Sequence, residues 1–513
     1  MPMKNNSLFA ALRGAFPADL DGVAIETGDT PEPLAYTWRD LERGSAMLAN
    51  LMASLELPPH SRIAVQVDKS VEALMLYLAV LRAGHVFLPL NTAYQKAEIE
   101  YFIGNAEPAM VVCAPKNFGW VSQLAFKSGT KHVFTLGDDR SGTLLARAMH
   151  FGDSHVPAVR SADDLAAILY TSGTTGRSKG AMLTHGNLLS NAQVLKSFWG
   201  WQADDVLIHS LPIFHVHGLF VASHGALLAG AKMIWFSRFD PRATTARLPE
   251  ATVFMGVPTL YVRLLAEPGL GREACRSMRL FVSGSAPLLL ETFNAFRERT
   301  GHTILERYGM SETVMLTSNP YRPESARRGG TVGPPLPGVG VRVHGDKGQP
   351  LPAGEIGQIE VKGPNVFKGY WRMPEKTADE FTTDLWFKTG DVGRIDADGY
   401  VTIVGRSKDL IITGGYNVYP AEIEGFINDM PGVAESAVVG VPHPDFGEAV
   451  VAVVVPRPGT ELSGADIAAR LKNQIANFKV PKLVEVVPEL PRNTMGKVQK
   501  NLLRERHQGL FAR

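Results

Sequence analysis

Short apolar runs rich in branched side chains alternate with longer stretches of helical periodicity through the first ~400 residues. "RIAVQV" at 62–67 reads as a strand. "SVEALMLYLAVLRAG" after it reads as a buried helix stopped by Gly84. "MVVCA", "HVFTL" and "LAAILY" read as further strands, "THGNLLSNAQVLKSFW" as a helix, and "VLIHSL", "KMIWF", "TVFMGV" and "RLFVSG" as strands again. This alternation predicts an α/β class built from several subdomains. Near residue 400 the pattern changes. "GYVTIVGRSKDLIITGGYNVYPAEIEGFI" predicts a hairpin and then a helix. "ESAVVGVP", "AVVAVVVP" and "LVEVVP" predict short strands, and "GADIAARLKNQIANF" a helix. A small α+β C-terminal domain is therefore expected. The boundary is placed in "GRSKD", with domains at 1–407 and 408–513.

The length of 513 residues also calls for two or more cores. Residues are 45% hydrophobic and 20% charged, as in a globular protein, and the net charge of +1 leaves no basic field to recruit nucleic acid or acidic lipid. Two cysteines, Cys113 and Cys275, cannot build a disulfide framework. No apolar run reaches the ~20 residues of a membrane span. The N-terminal "MPMKNNSLFAALRGAF" has no convincing cleavage site and reads as the first helix. The expectation is a cytoplasmic protein with no nucleic-acid or membrane partner.

"YTSGTTGRSKG", residues 170–180, is dense in glycine and hydroxyl side chains directly after an apolar strand. Glycines let backbone N–H groups approach a polyphosphate closely. Thr171, Ser172, Thr174 and Thr175 add hydroxyl donors around Gly173 and Gly176, and Lys179 adds a point charge. Neither the Walker A spacing nor G-x-G-x-x-G is present, so the loop points to phosphate without naming the chemistry.

This loop resembles the signature of the adenylate-forming superfamily: acyl-CoA synthetases, luciferases and peptide-synthetase adenylation domains. Six more stretches resemble its motifs in the same order: "LPIFHVHG" (211–218), "SGSAPL" (283–288), "ERYGMSET" (306–313), "KTGDVG" (388–393), "GRSKDLIITGGYNVYP" (405–420) and "PRNTMGKVQK" (491–500). Their combination is most similar to malonyl-CoA synthetases. The resemblance implies a two-step ligase. A carboxylate attacks the α-phosphorus of ATP and releases pyrophosphate; the thiol of coenzyme A then displaces AMP. It implies that the glycine loop and Lys179 hold the β- and γ-phosphates, and that Glu312 binds Mg²⁺. Ser311 contacts the α-phosphate, where relatives usually carry threonine. Gly284, Ser285, Ala286, Tyr308, Gly309 and Met310 wall the nucleotide and the adjoining acid. Asp391 and Arg406 match ribose or phosphate contacts. Lys497 matches the lysine that bridges the attacking carboxylate and the α-phosphate, a task suited to a flexible ammonium. It sits on a mobile C-terminal domain hinged at Lys408, with Gly414 and Gly415 lining the pantetheine tunnel. Magnesium, ATP and coenzyme A are thus the implied small-molecule partners.

For the acid, His215 matches a gating histidine. His217, two residues on, would share its side of a strand. A second substrate carboxylate needs a buried cation. Arg263, in "GVPTLYVRLL", is the first candidate, its alternative being a surface arginine with its stem on the core. Arg279 is the second, although relatives with neutral substrates carry it too. Ser283 adds a hydroxyl and Met310 can limit depth. The expected activity is a malonate–CoA ligase that also takes methylmalonate. The alternative is a short- or medium-chain fatty acyl-CoA synthetase. A carrier-linked adenylation domain is disfavoured because the sequence ends soon after "PRNTMGKVQK". A nucleotide sensor without chemistry is disfavoured because Lys497, Glu312 and Asp391 are all present.

Overall fold

Strands covered on both faces need apolar side chains at every position, and a helix sunk between layers is apolar all round. The computed structural model, which describes residues 6–30, 32–171, 178–345, 348–413, 416–472, 474–493 and 496–511, obeys both rules. The helix Val71–Arg82 is buried along its whole length. Ser70 caps it by accepting from the Ala73 amide at 3.1 Å, and Gly84 (φ +75°) ends it. The chain gathers into two compact units, Met1–Gly340 with Val361–Phe387, and Val341–Glu360 with Lys388–Arg513.

The first unit holds two mixed sheets. One runs Gly369–Tyr370, Lys179–Thr184, Leu165–Thr171, Val86–Pro89, Arg62–Gln66, Met110–Cys113, His132–Thr135. Its last five strands are parallel neighbours; Leu165–Thr171 and Lys179–Thr184 are antiparallel. Lys96–Ala106 and Phe118–Lys127 cover one face through Ile99, Phe102, Ile103, Val121 and Leu124. The other sheet runs Val314–Ser318, Leu305–Met310, Leu280–Ser283, Val253–Gly256, Val206–His209, Lys232–Trp235, Val23–Thr27, Ala35–Thr37. Every strand expected in this half from its apolar run is there.

The second unit has a four-stranded sheet over 340–406 and a five-stranded one over 411–486. In the latter, Val433–His443 and Gly447–Pro456 pair antiparallel and send alternate residues to opposite faces. Val438, Val450, Ala452 and Val454 meet the helices Pro420–Asn428 and Gly464–Lys472; Ala437, Val439, Val451 and Val453 meet Leu503 of Lys500–His507. Two covered faces explain the unbroken apolar run "AVVAVVV". The expected boundary between residues 407 and 408 falls inside this unit, between its two sheets. Two local expectations are corrected. The stretch read as a hairpin and then a helix holds two pairings before that helix, Val401–Arg406 with Phe387–Ile395 and Ile411–Thr413 with Tyr416–Val418, because the turn Ser407–Asp409 separates the strands. The helix expected to reach Phe478 stops at Lys472; a short turn at Asn477–Lys479 then leads to Pro481, before which helical backbone is disfavoured. Among the described residues no helix is long and apolar enough to cross a membrane.

Candidate active site

The glycine loop joins antiparallel strands, closed at its base by the pair Thr171 and Lys179. Ser172, Gly173, Thr174, Thr175 and Gly176 lie outside the described residues, as do Gly414 and Gly415. Lys179 does not point into open water. Its Nζ is 3.3 Å from Glu380 Oε1 and 4.3 Å from the centroid of the Tyr370 ring. Tyr370 in turn donates its hydroxyl to Glu312 Oε1 at 3.0 Å. The fold thus brings the two expected phosphate-site charges, Lys179 and Glu312, onto opposite sides of one tyrosine. Sequence reasoning missed Tyr370 and Glu380; the aromatic pair in "KGYWR" was the available signal. Lys376 also reaches Glu380, at 3.0 Å.

Glu312 is buried, and its carbonyl accepts from the Phe367 amide at 2.7 Å. Among the described residues no three His, Cys, Asp or Glu side chains cluster as a metal cage. One buried carboxylate fits a magnesium ion whose other ligands are nucleotide phosphates and water. Tyr308, Gly309, Met310 and Ser311 follow on the tight hairpin between Leu305–Met310 and Val314–Ser318. A Cβ at Gly309 would lie 1.8 Å from the Val314 carbonyl, so only glycine permits this turn.

The acyl side is corrected most. His215 and His217 do not lie on a strand: the chain bends after His209, and His217 opens a π-helical stretch, His217–Ser223. Gly218 packs onto the Pro212 carbonyl, where a Cβ would sit 2.1 Å away. The rings are neighbours nonetheless, since the His217 amide donates to His215 Nδ1 at 3.3 Å. His217 is buried, its Nδ1 lies 3.4 Å from Ser285 Oγ, and its Nε2 has no partner. Burial first, then the neighbouring Arg307, His215 and His209, push its pKa well below the usual histidine range, so the ring is neutral. Ser285 adopts φ +72°, a strained left-handed conformation for a residue with a side chain.

Arg279 does not reach a substrate site. Its fork closes on Asp205 at 2.6 and 2.5 Å and on the Trp199 carbonyl at 3.0 Å. Arg263 lies on the exposed face of Pro258–Leu265, beside exposed Val262, while Leu260, Tyr261 and Leu264 face the core. The surface alternative describes it. A buried cation stands instead at Arg307, inside "ERYGMSET" and unremarked in the sequence. It is 2% exposed, and its Nε and Nη2 have no hydrogen-bond partner. Burial lowers its pKa to about 9, opposed by Tyr261, so it remains charged at neutral pH. Its guanidinium lies against Gly284, where a Cβ would come within 2.5 Å of Cζ. Ser283, at the end of the neighbouring strand, has a buried Oγ without a partner. Ala286 follows Ser285 in the same half-buried loop.

On the opposite side of the same strand Glu306 accepts from the Leu288 amide at 3.2 Å, and its Oε2 is unpartnered. Burial raises its pKa to about 8. The native fold therefore holds this proton while the unfolded chain, with a carboxyl near 4.5, has released it. Stability contributed by the neutral acid is complete below 4.5 and is lost as pH rises to 8, by up to ~1.4 kcal/mol per pH unit. The stability gain of Glu306→Gln over wild type, read as a melting-temperature difference, is expected to widen between pH 5 and 8 and level off above. A difference independent of pH would show that Glu306 is not held protonated.

In the second unit, Asp391 and Arg406 are cross-strand partners, with Nε 2.8 Å from Oδ1. Asp391 is buried and its amide donates to Thr389 Oγ1 at 3.0 Å. The two expected ribose contacts thus hold each other. Lys408 is exposed on the turn Ser407–Asp409, anchored by Asp409 to Arg504 at 2.5 Å. Lys497 is exposed on a loop whose base is pinned: Asn493 accepts from the Lys497 amide at 3.0 Å through its side chain and donates its own amide to the Lys497 carbonyl at 2.9 Å. Gly496 (φ +74°) permits that turn.

The chain resembles known proteins along most of its length. Residues 21–371 match the AMP-binding enzyme family, and 422–497 match the AMP-binding enzyme C-terminal domain. A feruloyl-CoA synthase from Amycolatopsis is 36% identical over 489 residues, covering 94% of this chain and 95% of its own length. A malonate–CoA ligase from Arabidopsis thaliana is 35% identical over 477 residues, covering 87% and 78%. The solved structure of ATP-bound MatB from Rhodopseudomonas palustris is 53% identical, with a TM-score of 0.96 over 99% of this chain and 100% of that one.

Proposed function

From a chain that belongs to the AMP-binding enzyme family, and is thereby an acid–thiol ligase using ATP and coenzyme A on the adenylate-forming fold, we propose a malonate–CoA ligase that also takes methylmalonate. One observation carries the choice of acid: Arg307 is a buried cation with donors to spare and, among the described residues, no carboxylate to meet them. Burying an unpaired charge is costly, so a site that keeps one is shaped for a ligand of opposite sign. A diacid brings that charge at the end remote from the reacting carboxylate. Ferulate and fatty acids do not. The nearby MatB structure and malonate–CoA ligase relatives support the same reading.

In this reading Arg307 clamps the distal carboxylate through the two donors left open, and Ser283 adds a hydroxyl donor. Neutral His217, with His215 beside it, borders the reacting carboxylate without adding charge of its own that would weaken the attack. Lys179 exchanges Glu380 for the β- and γ-phosphates. Tyr370 holds Glu312 oriented toward the magnesium that travels with ATP. Lys497 bridges attacking oxygen and α-phosphate as charge develops there. Asp391 and Arg406 hold the ribose side. Segment 408–513, hinged at Lys408, then withdraws Lys497 and presents Gly414 and Gly415 to pantetheine. The motif resemblance is the support for these last roles.

The test is AMP release with ATP, Mg²⁺ and coenzyme A over malonate, methylmalonate, butyrate, octanoate and ferulate. We expect kcat/KM for malonate to exceed that for the monoacids by about two orders of magnitude, the worth of one buried charge-assisted pair at ~3 kcal/mol. A preference for any monoacid would overturn the malonate reading and leave the ligase assignment intact.

A further inference from the structure

Lys69 belongs to none of the family motifs, yet its ammonium is the best-satisfied cation near the acyl side. Its Nζ lies 2.7 Å from the Phe236 carbonyl, 2.8 Å from the His209 carbonyl and 2.9 Å from His209 Nδ1. The Trp235 ring, 4.3 Å away, covers the remaining side and also stacks on the His209 imidazole at 4.5 Å. Three acceptors match the three donors of an ammonium. Burial holds its pKa well below the usual lysine range, opposed by the charge of Asp29; two carbonyl dipoles, a bare ring nitrogen and an aromatic face at these distances favour the ammonium.

The other edge of His209 identifies its proton. Nε2 is 2.9 Å from the Gly218 carbonyl and 3.0 Å from Ser223 Oγ, and Ser223 Oγ itself donates to that carbonyl at 2.9 Å. A carbonyl only accepts, so Nε2 carries hydrogen. Burial and the nearby Lys69 charge keep the ring neutral, so Nδ1 is bare and must accept. Lys69 is the donor that selects this tautomer. Gly218 and Ser223 are the second and last residues of the π-helical stretch whose first residue is His217. Such wide turns are rare and need help to persist. Here the help is a two-link chain ending one residue from the histidine that faces Ser285 and feels the charge of Arg307.

We propose that Lys69 is a positioning residue for the acid: acting through His209, it fixes the Gly218 carbonyl and so holds His217 in the acyl pocket. The proposal rests on reading the His217–Arg307 region as that pocket. The competing role is a pin between the ends of Val206–His209 and Lys232–Trp235, which would affect stability alone.

The experiment uses the full-length enzyme and whichever acid the wild type prefers, so the identity of the acid is decided separately. Lys69→Met cuts the chain at its origin. His209→Asn leaves an oxygen near Lys69 but is too short to reach Gly218. Both variants are expected to raise KM for the acid at least tenfold, with KM for ATP within twofold of wild type. The double variant should match the worse single one, because the two residues act in series. Unchanged acid KM with a lowered melting temperature, or acid and ATP constants rising together, would overturn the proposal. Should Lys69→Met not accumulate as folded protein, His209→Asn alone decides by the same readings.

Discussion

Arg307→Leu is expected to lower kcat/KM for malonate at least a hundredfold while leaving the melting temperature unchanged or raised. The two halves have one cause. Without an acid bound, Arg307 is a buried charge with unpartnered nitrogens, and an apolar side chain there relieves a desolvation cost. With a diacid bound, losing one member of a buried charge pair costs ~2–5 kcal/mol, and each 1.4 kcal/mol is tenfold. Turnover of butyrate should fall less than that of malonate, or rise. A stabilised variant with lost malonate use is hard to reproduce by general damage, which lowers both. If malonate turnover survives, the counter-charge for its distal carboxylate lies elsewhere.

The second large effect is on Lys497→Ala. Carboxylate-dependent ATP–pyrophosphate exchange should drop by ~10²–10³, the usual loss when a group aimed at developing charge is removed. Thioester formation from supplied malonyl-adenylate should stay within a few-fold of wild type. The melting temperature should not move, since the side chain is exposed and its loop is held by Asn493 through backbone groups. Equal loss in both half-reactions would assign Lys497 a role other than adenylation.

The legible and illegible parts of this molecule divide along a physical line. Runs such as "RIAVQV" and "AVVAVVV" were readable as strands because burial on a pleated surface demands those side chains wherever the chain goes next. The family motifs single out Lys179, Glu312, Asp391 and Lys497 as candidates. Contacts between distant segments were not readable. Asp391 and Arg406 lie fifteen positions apart and become neighbours only through strand register. Tyr370 stands between Lys179 and Glu312 only because Gly369–Tyr370 joins the edge of that sheet. A cation for the acid is expected in an apolar helix, where an arginine looks out of place, and Arg263 faces outward. Arg307 sat in a polar motif, where an arginine looks ordinary. Its burial depends on Gly284, twenty-three positions earlier, having no side chain. The pair His215 and His217 suggests a period of two, but the turn at Ile213–Phe214 and the approach of Gly218 to Pro212 replace the strand by a wide helical turn.

The glycine loop leaves one strand and enters another, with Thr171 opposite Lys179 at its neck. A phosphate loop that opens into a helix gains about half an elementary charge from aligned peptide dipoles, and that charge is permanent. Strand dipoles nearly cancel. Here the formal counter-charge at the neck is an ammonium on a side chain, and a side chain, unlike a backbone, can be covalently neutralised or drawn aside by a neighbour such as Glu380. On the proposed reading, in which Lys179 meets the nucleotide phosphates, that grip would be adjustable after synthesis without any change to the fold that supports it.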